Sequence, residues 1–146
     1  MGDGYEISTD PARLDVARIH GWLTETSKRP PGMPRDILER AMANSINFGL
    51  YHAQDGQVGF ARVISDRATF AYLANMFVLR SHRGKGLSKR LMEAILAHPE
   101  LRNLRRWMLV THDTHGLYEQ FGFTLPKAAN HLMERVDPDV YVRLKG

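Results

Sequence analysis

The chain has 146 residues, of which 43% are apolar and 25% charged. These values are typical of a globular protein and exclude disordered and fibrous classes. We therefore predict a single domain over residues 1–146. The absence of cysteine excludes disulfide scaffolds, cysteine-ligated zinc and thiol catalysis. No apolar run approaches the ~18 residues of a membrane span, and the N-terminus lacks signal-peptide features, so we expect a cytoplasmic protein without a membrane partner.

The net charge of +4 is concentrated in one stretch, residues 80–90, which contains five cations and no acid. The other 15 of the 20 basic residues are matched by all 16 acidic residues. Such segregation favours one localised anionic ligand over a broad nucleic-acid surface. We therefore expect no nucleic-acid partner, although Arg105 and Arg106 beside Trp107 leave a nucleic-acid-binding domain as one alternative.

The first third of the chain predicts a short strand over residues 5–8 and two helices. Thr9 or Asp10 is a candidate cap for the first helix, with Pro11 at its first position. The second helix opens at Pro34, after a proline-rich loop over residues 28–34.

The middle of the chain changes to the period of a β-sheet. Asp55-Gly56 separates two apolar runs, residues 46–52 and 58–64, and predicts a hairpin because Gly tolerates a positive φ. A second turn at Asp66-Arg67 leads into the longest strand, residues 69–79. These three strands predict an antiparallel meander.

The last third returns to a helical period over residues 87–96, followed by a buried strand over residues 107–111. A short helix over residues 115–120 and two final strands, residues 123–125 and 132–136, complete the pattern. We predict a mixed α/β fold of the α+β type. Its mostly antiparallel sheet has about six to seven strands and is flanked by helices, and a right-handed crossover makes strands 69–79 and 107–111 parallel.

The most informative segment, Arg83-Gly84-Lys85-Gly86-Leu87-Ser88, joins the longest strand to a helix. Two glycines permit a tight turn, and the start of a helix offers unpaired N–H groups to a phosphate or pyrophosphate. Arg83, Lys85 and Lys89 can add direct charge. A plain glycine-rich turn is the alternative. The segment fits neither the Walker A pattern nor the dinucleotide fingerprint.

Two motifs in the expected order resemble those of the GNAT superfamily of N-acetyltransferases. Arg83-x-x-Gly86-x-Ser88 is similar to its pyrophosphate loop, with Ser88 where the family has Gly or Ala. Residues 117–123, Leu-Tyr-x-x-x-Gly-Phe, look like the family segment that follows the fifth strand. The resemblance extends from about Ile7 to Phe123.

This resemblance implies transfer of an acetyl group from acetyl-CoA, a co-substrate, to a primary amine of a small molecule or protein, with no metal. The fourth and fifth strands then separate at their C-terminal ends to admit the pantetheine arm, and a main-chain N–H near Phe77 or Val78 stabilises the oxyanion. A homodimer is compatible with the family. A non-catalytic CoA-binding module is the rival interpretation. The implied cofactor-binding residues are Met76, Phe77, Val78, Arg83, Gly84, Lys85, Gly86, Leu87 and Ser88.

The same resemblance assigns Tyr118 as the general acid that protonates the leaving thiolate, although a tyrosine there can also simply pack. The candidates for the base are less distinct. Asn75 is neutral where some relatives carry a carboxylate. His112 is our first candidate, and Asp113, Tyr72 or a water chain are alternatives.

The acceptor pocket is expected between the first helix, the proline-rich loop and the central strands. Trp22 and Tyr72 can equally be core aromatics, and Arg62 binds a substrate carboxylate only if it faces the cleft. His112 and His115 with Asp113 give a weak metal signal, so we expect no metal. The predicted acceptor residues are Trp22, Arg29, Arg62, Tyr72 and Asn75.

Overall fold

A computed structural model describes residues 3–27 and 31–145. In this part of the chain one five-stranded sheet has the order β1-β2-β3-β4-β5. The first four strands pair antiparallel and β4 pairs parallel with β5, which confirms the predicted mixed sheet and its single crossover. The strands are β1 Tyr5–Ser8, β2 Ile46–His52, β3 Gly56–Ser65, β4 Phe70–Val78 and β5 Arg106–Leu109.

Five α-helices accompany the sheet in the described residues: α1 Val16–Glu25, α2 Arg35–Ala43, α3 Leu87–Ala97, α4 His115–Glu119 and α5 Val140–Lys145. The predicted start of the first helix was wrong. Asp10 caps only a short 3-10 turn with Pro11 in its first position, and Asp15 caps α1 by accepting a hydrogen bond from the Arg18 N–H. Within the described ranges, no helix is both long and apolar enough to cross a bilayer.

The predicted strand count was too high, because residues 123–125 and 132–136 form no strand. The Phe123 ring packs edge-on against Trp107 and Tyr118. Leu125 and Met133 are largely exposed. With few buried side chains, these runs lack the packing that stabilises a strand on a half-buried face.

Two hydrophobic clusters lie on opposite faces of the sheet. Leu91, Met92 and Ile95 of α3 pack on one face. On the other face, α1 and α2 cover Phe60 with Ile19, Trp22, Leu38 and Met42. Because alternate residues of a strand share a face, Arg62 is expected on the side of the sheet that α1 and α2 cover.

The pairing of β4 with β5 ends halfway along β4. It covers only Phe70 to Leu73 of β4, while β4 continues to pair with β3 as far as Val78. The irregularity in that second ladder coincides with Asn75, whose φ is 55°. Within the described part of the chain, the second half of β4 therefore has no strand partner on its β5 side.

Candidate functional site

The predicted anion-binding loop lies where β4 has lost its partner. Gly84 and Gly86 have φ values of 80° and 73°, a region that L side chains rarely adopt. Gly86 is the N-cap of α3 and no side chain caps this end, so the first-turn N–H groups are available to a ligand. A pocket of about 240 Å³ opens here, lined by Val78, Arg83, Gly84, Gly86, Leu87, Ser88 and Lys89.

The Arg83 side chain fastens this loop to the end of β4. Its Nε donates a hydrogen bond of 2.7 Å to the Val78 carbonyl oxygen, and its guanidinium lies 5.5 Å from the centre of the Phe77 ring. The Leu79 N–H donates to the Val58 carbonyl on β3. Because the two sides of one peptide point in opposite directions, the Val78 carbonyl faces the open side of β4.

Lys85 does not line this pocket, in contrast to Arg83 and Lys89. Its Nζ donates a hydrogen bond of 3.3 Å to the Tyr5 hydroxyl. That hydroxyl is 2.6 Å from His82 Nδ1, and His82 Nε2 is 2.8 Å from Asp55 Oδ2. His82 is only 4% exposed, so its two ring nitrogens depend on these partners.

We name this chain of contacts, Tyr5, Asp55, His82 and Lys85, the loop-anchoring network. Sequence reasoning missed it, because its members come from separate segments and Asp55 was interpreted only as part of a turn.

The same region contains a group of three potential metal ligands, His52, Asp55 and His82, whose ligand atoms lie within 4.8 Å of one another. Both nitrogens of His82 already have hydrogen-bonding partners. His112 and His115, the pair noted in the sequence, are exposed and belong to no such group among the described residues.

Tyr118 lies in α4 and is 8% exposed. It packs with Phe123 in the cluster that includes α3. Burial raises the pKa of its phenol above the ordinary value. Its hydroxyl has no hydrogen-bonding partner within the described ranges, so the proton is not committed elsewhere.

His112 and Asp113 are exposed in the turn between β5 and α4. Thr111 and Thr114 close this turn through a hydroxyl–hydroxyl contact of 2.7 Å. The structure thus places both base candidates at the surface beyond the end of β5.

A second cavity of about 490 Å³ lies beside Asn75. The C-terminal part of α1, residues 31–33 and the C-terminal tail form its walls. The contribution of the tail, including Tyr141, was missed, because the sequence interpretation ended in two sheet strands. The lining residues are Leu23, Thr26, Ser27, Pro31, Gly32, Met33, Asn75, Val136, Asp137, Pro138, Val140, Tyr141 and Val142.

Of the predicted acceptor residues, Asn75 lines this cavity, whereas Trp22, Arg62 and Tyr72 do not. Trp22 is buried and stacks on Phe77 with 4.9 Å between ring centres. Arg29 lies outside the described residues.

Arg62 is buried directly next to Asn75. Its Nε donates a hydrogen bond of 2.9 Å to Asn75 Oδ1, and one terminal nitrogen donates to Ser45 Oγ at 3.2 Å. Burial lowers the pKa of this guanidinium, an effect that charge interactions with Tyr141 and Tyr72 partly oppose.

The chain is similar to known acetyltransferases. Residues 44–125 match the profile of the acetyltransferase (GNAT) domain. A candidate acetyltransferase of Gibberella zeae is 34% identical over 136 residues, covering 78% of this chain and 75% of its own. The crystal structure of a candidate GNAT-family acetyltransferase from Xanthomonas campestris pv. campestris is 48% identical, with a TM-score of 0.87 over 94% of this chain and 96% of that one.

A more distant structure, a candidate acetyltransferase of Clostridium acetobutylicum solved with acetyl-CoA, shares the fold. It is 15% identical, with a TM-score of 0.66 over 90% of this chain and 94% of that one. The fold and the profile match define the class of acetyltransferase domains. The chain belongs to the GNAT family of acetyltransferases.

Proposed function

We propose that this chain is a single acetyltransferase domain that moves an acetyl group from acetyl-CoA to a primary amine by direct attack. The observation that carries the proposal is the position of the loop over residues 83–88. It presents N–H groups at the start of α3 immediately beside the half of β4 that has no strand partner. A pyrophosphate and an extended amide chain fit these two features together.

The main chain of Met76, Phe77 and Val78 pairs with the pantetheine arm as an added strand would. The Val78 carbonyl oxygen already accepts a hydrogen bond from the Arg83 side chain. The pantetheine arm therefore pairs with the other backbone N–H and C=O groups on the open side of β4. In a strand the N–H and C=O of one residue point to the same side. The Val78 N–H therefore faces the gap, and we assign it rather than the Phe77 N–H to the oxyanion.

Tyr118 donates a proton to the sulfur of CoA when the carbon–sulfur bond breaks. Two observations support this role: burial raises the pKa of the phenol, so it stays protonated at neutral pH, and its hydroxyl has no other partner among the described residues. The amine attacks in its neutral form. We assign removal of its proton to His112, acting through water from the exposed turn after β5.

The first test is a thermal-shift titration with acetyl-CoA, CoA and ATP at matched ionic strength. A ligand that binds only the folded state stabilises it by about 2.7 kcal/mol at a hundredfold excess over its Kd. We expect a shift with acetyl-CoA and CoA but not with ATP. An amine panel assayed for CoA release then tests transfer. Binding without release by any amine would identify a non-catalytic CoA-binding module instead.

A further inference from the structure

Arg62 is a buried cation that has no acidic partner among the described residues. It is 8% exposed, and its hydrogen bonds go to two neutral oxygens, those of Asn75 and Ser45. Among the residues the structure describes, no carboxylate accepts a hydrogen bond from Arg62 or shifts its pKa. A buried charge is normally paired with an opposite charge, and the described residues supply no such counter-charge to Arg62.

Arg62 does not itself line the larger cavity, but two residues near its guanidinium do. One is Asn75, which accepts a hydrogen bond from Arg62 Nε, and the other is Tyr141. The second terminal nitrogen of Arg62 has no hydrogen bond to any described residue. An anion that enters beside Asn75 therefore finds donors that are already fixed in position.

Burial already disfavours the charged form of Arg62, and fixed donors in a low-dielectric setting interact more strongly with an arriving anion than exposed ones. A guanidinium is suited to a carboxylate because its planar arrangement of N–H groups can donate two parallel hydrogen bonds. An uncharged acceptor would leave the cation without compensation. The cavity volume of about 490 Å³ is in the range of small-molecule sites.

We propose that the acceptor is an amine that carries a carboxylate, and that Arg62 with Asn75 recognises this carboxylate. This inference rests on the proposed acetyltransferase function. It names the substrate class for that site and makes Arg62 a specificity-determining residue. Asn75 aligns the guanidinium through the bond to Nε.

The experiment compares matched acids and amides by calorimetry on the CoA-bound protein. The probes are β-alanine with β-alaninamide, L-lysine with lysinamide, and propionate with propionamide. The last pair lacks an amine and tests the anion subsite alone. We expect each acid to bind at least tenfold more tightly than its amide. Acetylation of the amine-bearing pairs is followed in parallel by CoA release, with the same preference expected in kcat/KM.

Two variants distinguish a loss of specificity for the carboxylate from a loss of folding. Arg62→Gln removes the charge and should abolish the preference for acids. Asn75→Asp replaces the side-chain amide by a carboxylate of nearly the same shape, next to the guanidinium of Arg62. It should raise the melting temperature while weakening the binding of acids at least tenfold. Both variants should keep the thermal shift with CoA, because neither residue lines the phosphate pocket.

Equal binding of acid and amide by the original protein would overturn the inference, as would an acid preference that survives in Asn75→Asp. These outcomes are independent of turnover. Acid binding that depends on Arg62 without CoA release from any amine would retain the anion subsite and overturn the proposed transfer. CoA release that ignores the carboxylate would retain the transfer and overturn the subsite.

Discussion

The proposed phosphate-binding loop and the proposed acceptor cavity are built on opposite principles. The loop is one contiguous segment, residues 83–88, and the groups it would offer to a ligand are mainly backbone N–H groups at the start of α3. The cavity is assembled from α1, residues 31–33, β4 and the C-terminal tail, and its lining includes the polar residues Thr26, Ser27, Asn75, Asp137 and Tyr141. A site made of backbone groups depends on the conformation of one segment, whereas a site made of side chains can change through single substitutions.

This difference predicts how each region responds to substitution. In the loop, side-chain changes should matter little unless they alter backbone conformation. Around the cavity, and where the thioester of acetyl-CoA is proposed to bind, the loss of one side-chain functional group can by itself lower binding or turnover. The following predictions test this contrast in order of decreasing effect.

Tyr118→Phe should give the largest loss. Removing the proton donor should lower kcat by about a hundredfold, within the usual range for general acid catalysis, and leave the CoA affinity unchanged. Steady-state kinetics and calorimetry measure the two quantities. Tyr51→Phe is a matched control: Tyr51 is also 8% exposed and its hydroxyl has no partner in the described structure. Comparable kcat values for the two variants would remove Tyr118 from the chemistry.

Gly86→Ala should damage the loop through its backbone. A Cβ at this position meets nothing within 4 Å, so the cost arises from the positive φ of 73° and amounts to roughly 1–2 kcal/mol of stability. We also expect a CoA affinity about tenfold weaker, because the amides reorient. Gly122→Ala shares the positive φ and the open surroundings but lies outside the loop. It should lose similar stability in denaturant titrations and retain CoA affinity, and equal affinities in the two variants would contradict the backbone model of binding.

Tyr5→Phe tests whether the loop-anchoring network supports CoA binding by the loop over residues 83–88. Loss of the hydroxyl leaves His82 Nδ1 without its 2.6 Å partner, and a buried unpaired polar atom costs about 1–3 kcal/mol. Lys85 loses its contact as well, so we expect CoA binding to weaken several-fold. In a double-mutant cycle with Lys85→Met, effects on CoA affinity that simply add would show that Lys85 acts independently of Tyr5.

Asp66→Asn should give the smallest effect, one of stability alone. The hydroxyl of Thr69 and the N–H groups of residues 68–70 donate to this carboxylate and hold its pKa below the usual carboxyl range. A lowered folded-state pKa contributes stability above the unfolded value of about 3.9, and this stability is lost as the pH falls through the folded value. The melting temperature of the variant should thus be lower at neutral pH and converge on that of the original protein in acid. A constant difference across this range would contradict the assignment, and Asp113→Asn, at an exposed turn position, serves as the control.

The sequence predicted the parts of the molecule that depend on local rules. Asp55-Gly56 indicated the β2–β3 hairpin, and the glycines at 84 and 86 indicated the loop, because a positive φ is a property of one residue and its neighbours. The tail was predicted wrongly because short apolar runs such as residues 123–125 do not reveal whether a neighbouring strand is available to pair with them. Arg62 was recognised as a candidate, but its lack of an acidic partner is visible only when Asn75 and Ser45 are placed around it.

The loop-anchoring network gives the first strand a role at a distance. Through Tyr5, β1 contacts both the buried His82 and Lys85 of the proposed phosphate-binding loop. We therefore expect ligand binding at that loop and docking of β1 to be thermodynamically linked, so that binding also stabilises the paired strand. Local opening of the strand at the sheet edge would release Lys85, and cofactor binding would slow hydrogen exchange at the Glu6 amide, which faces β2.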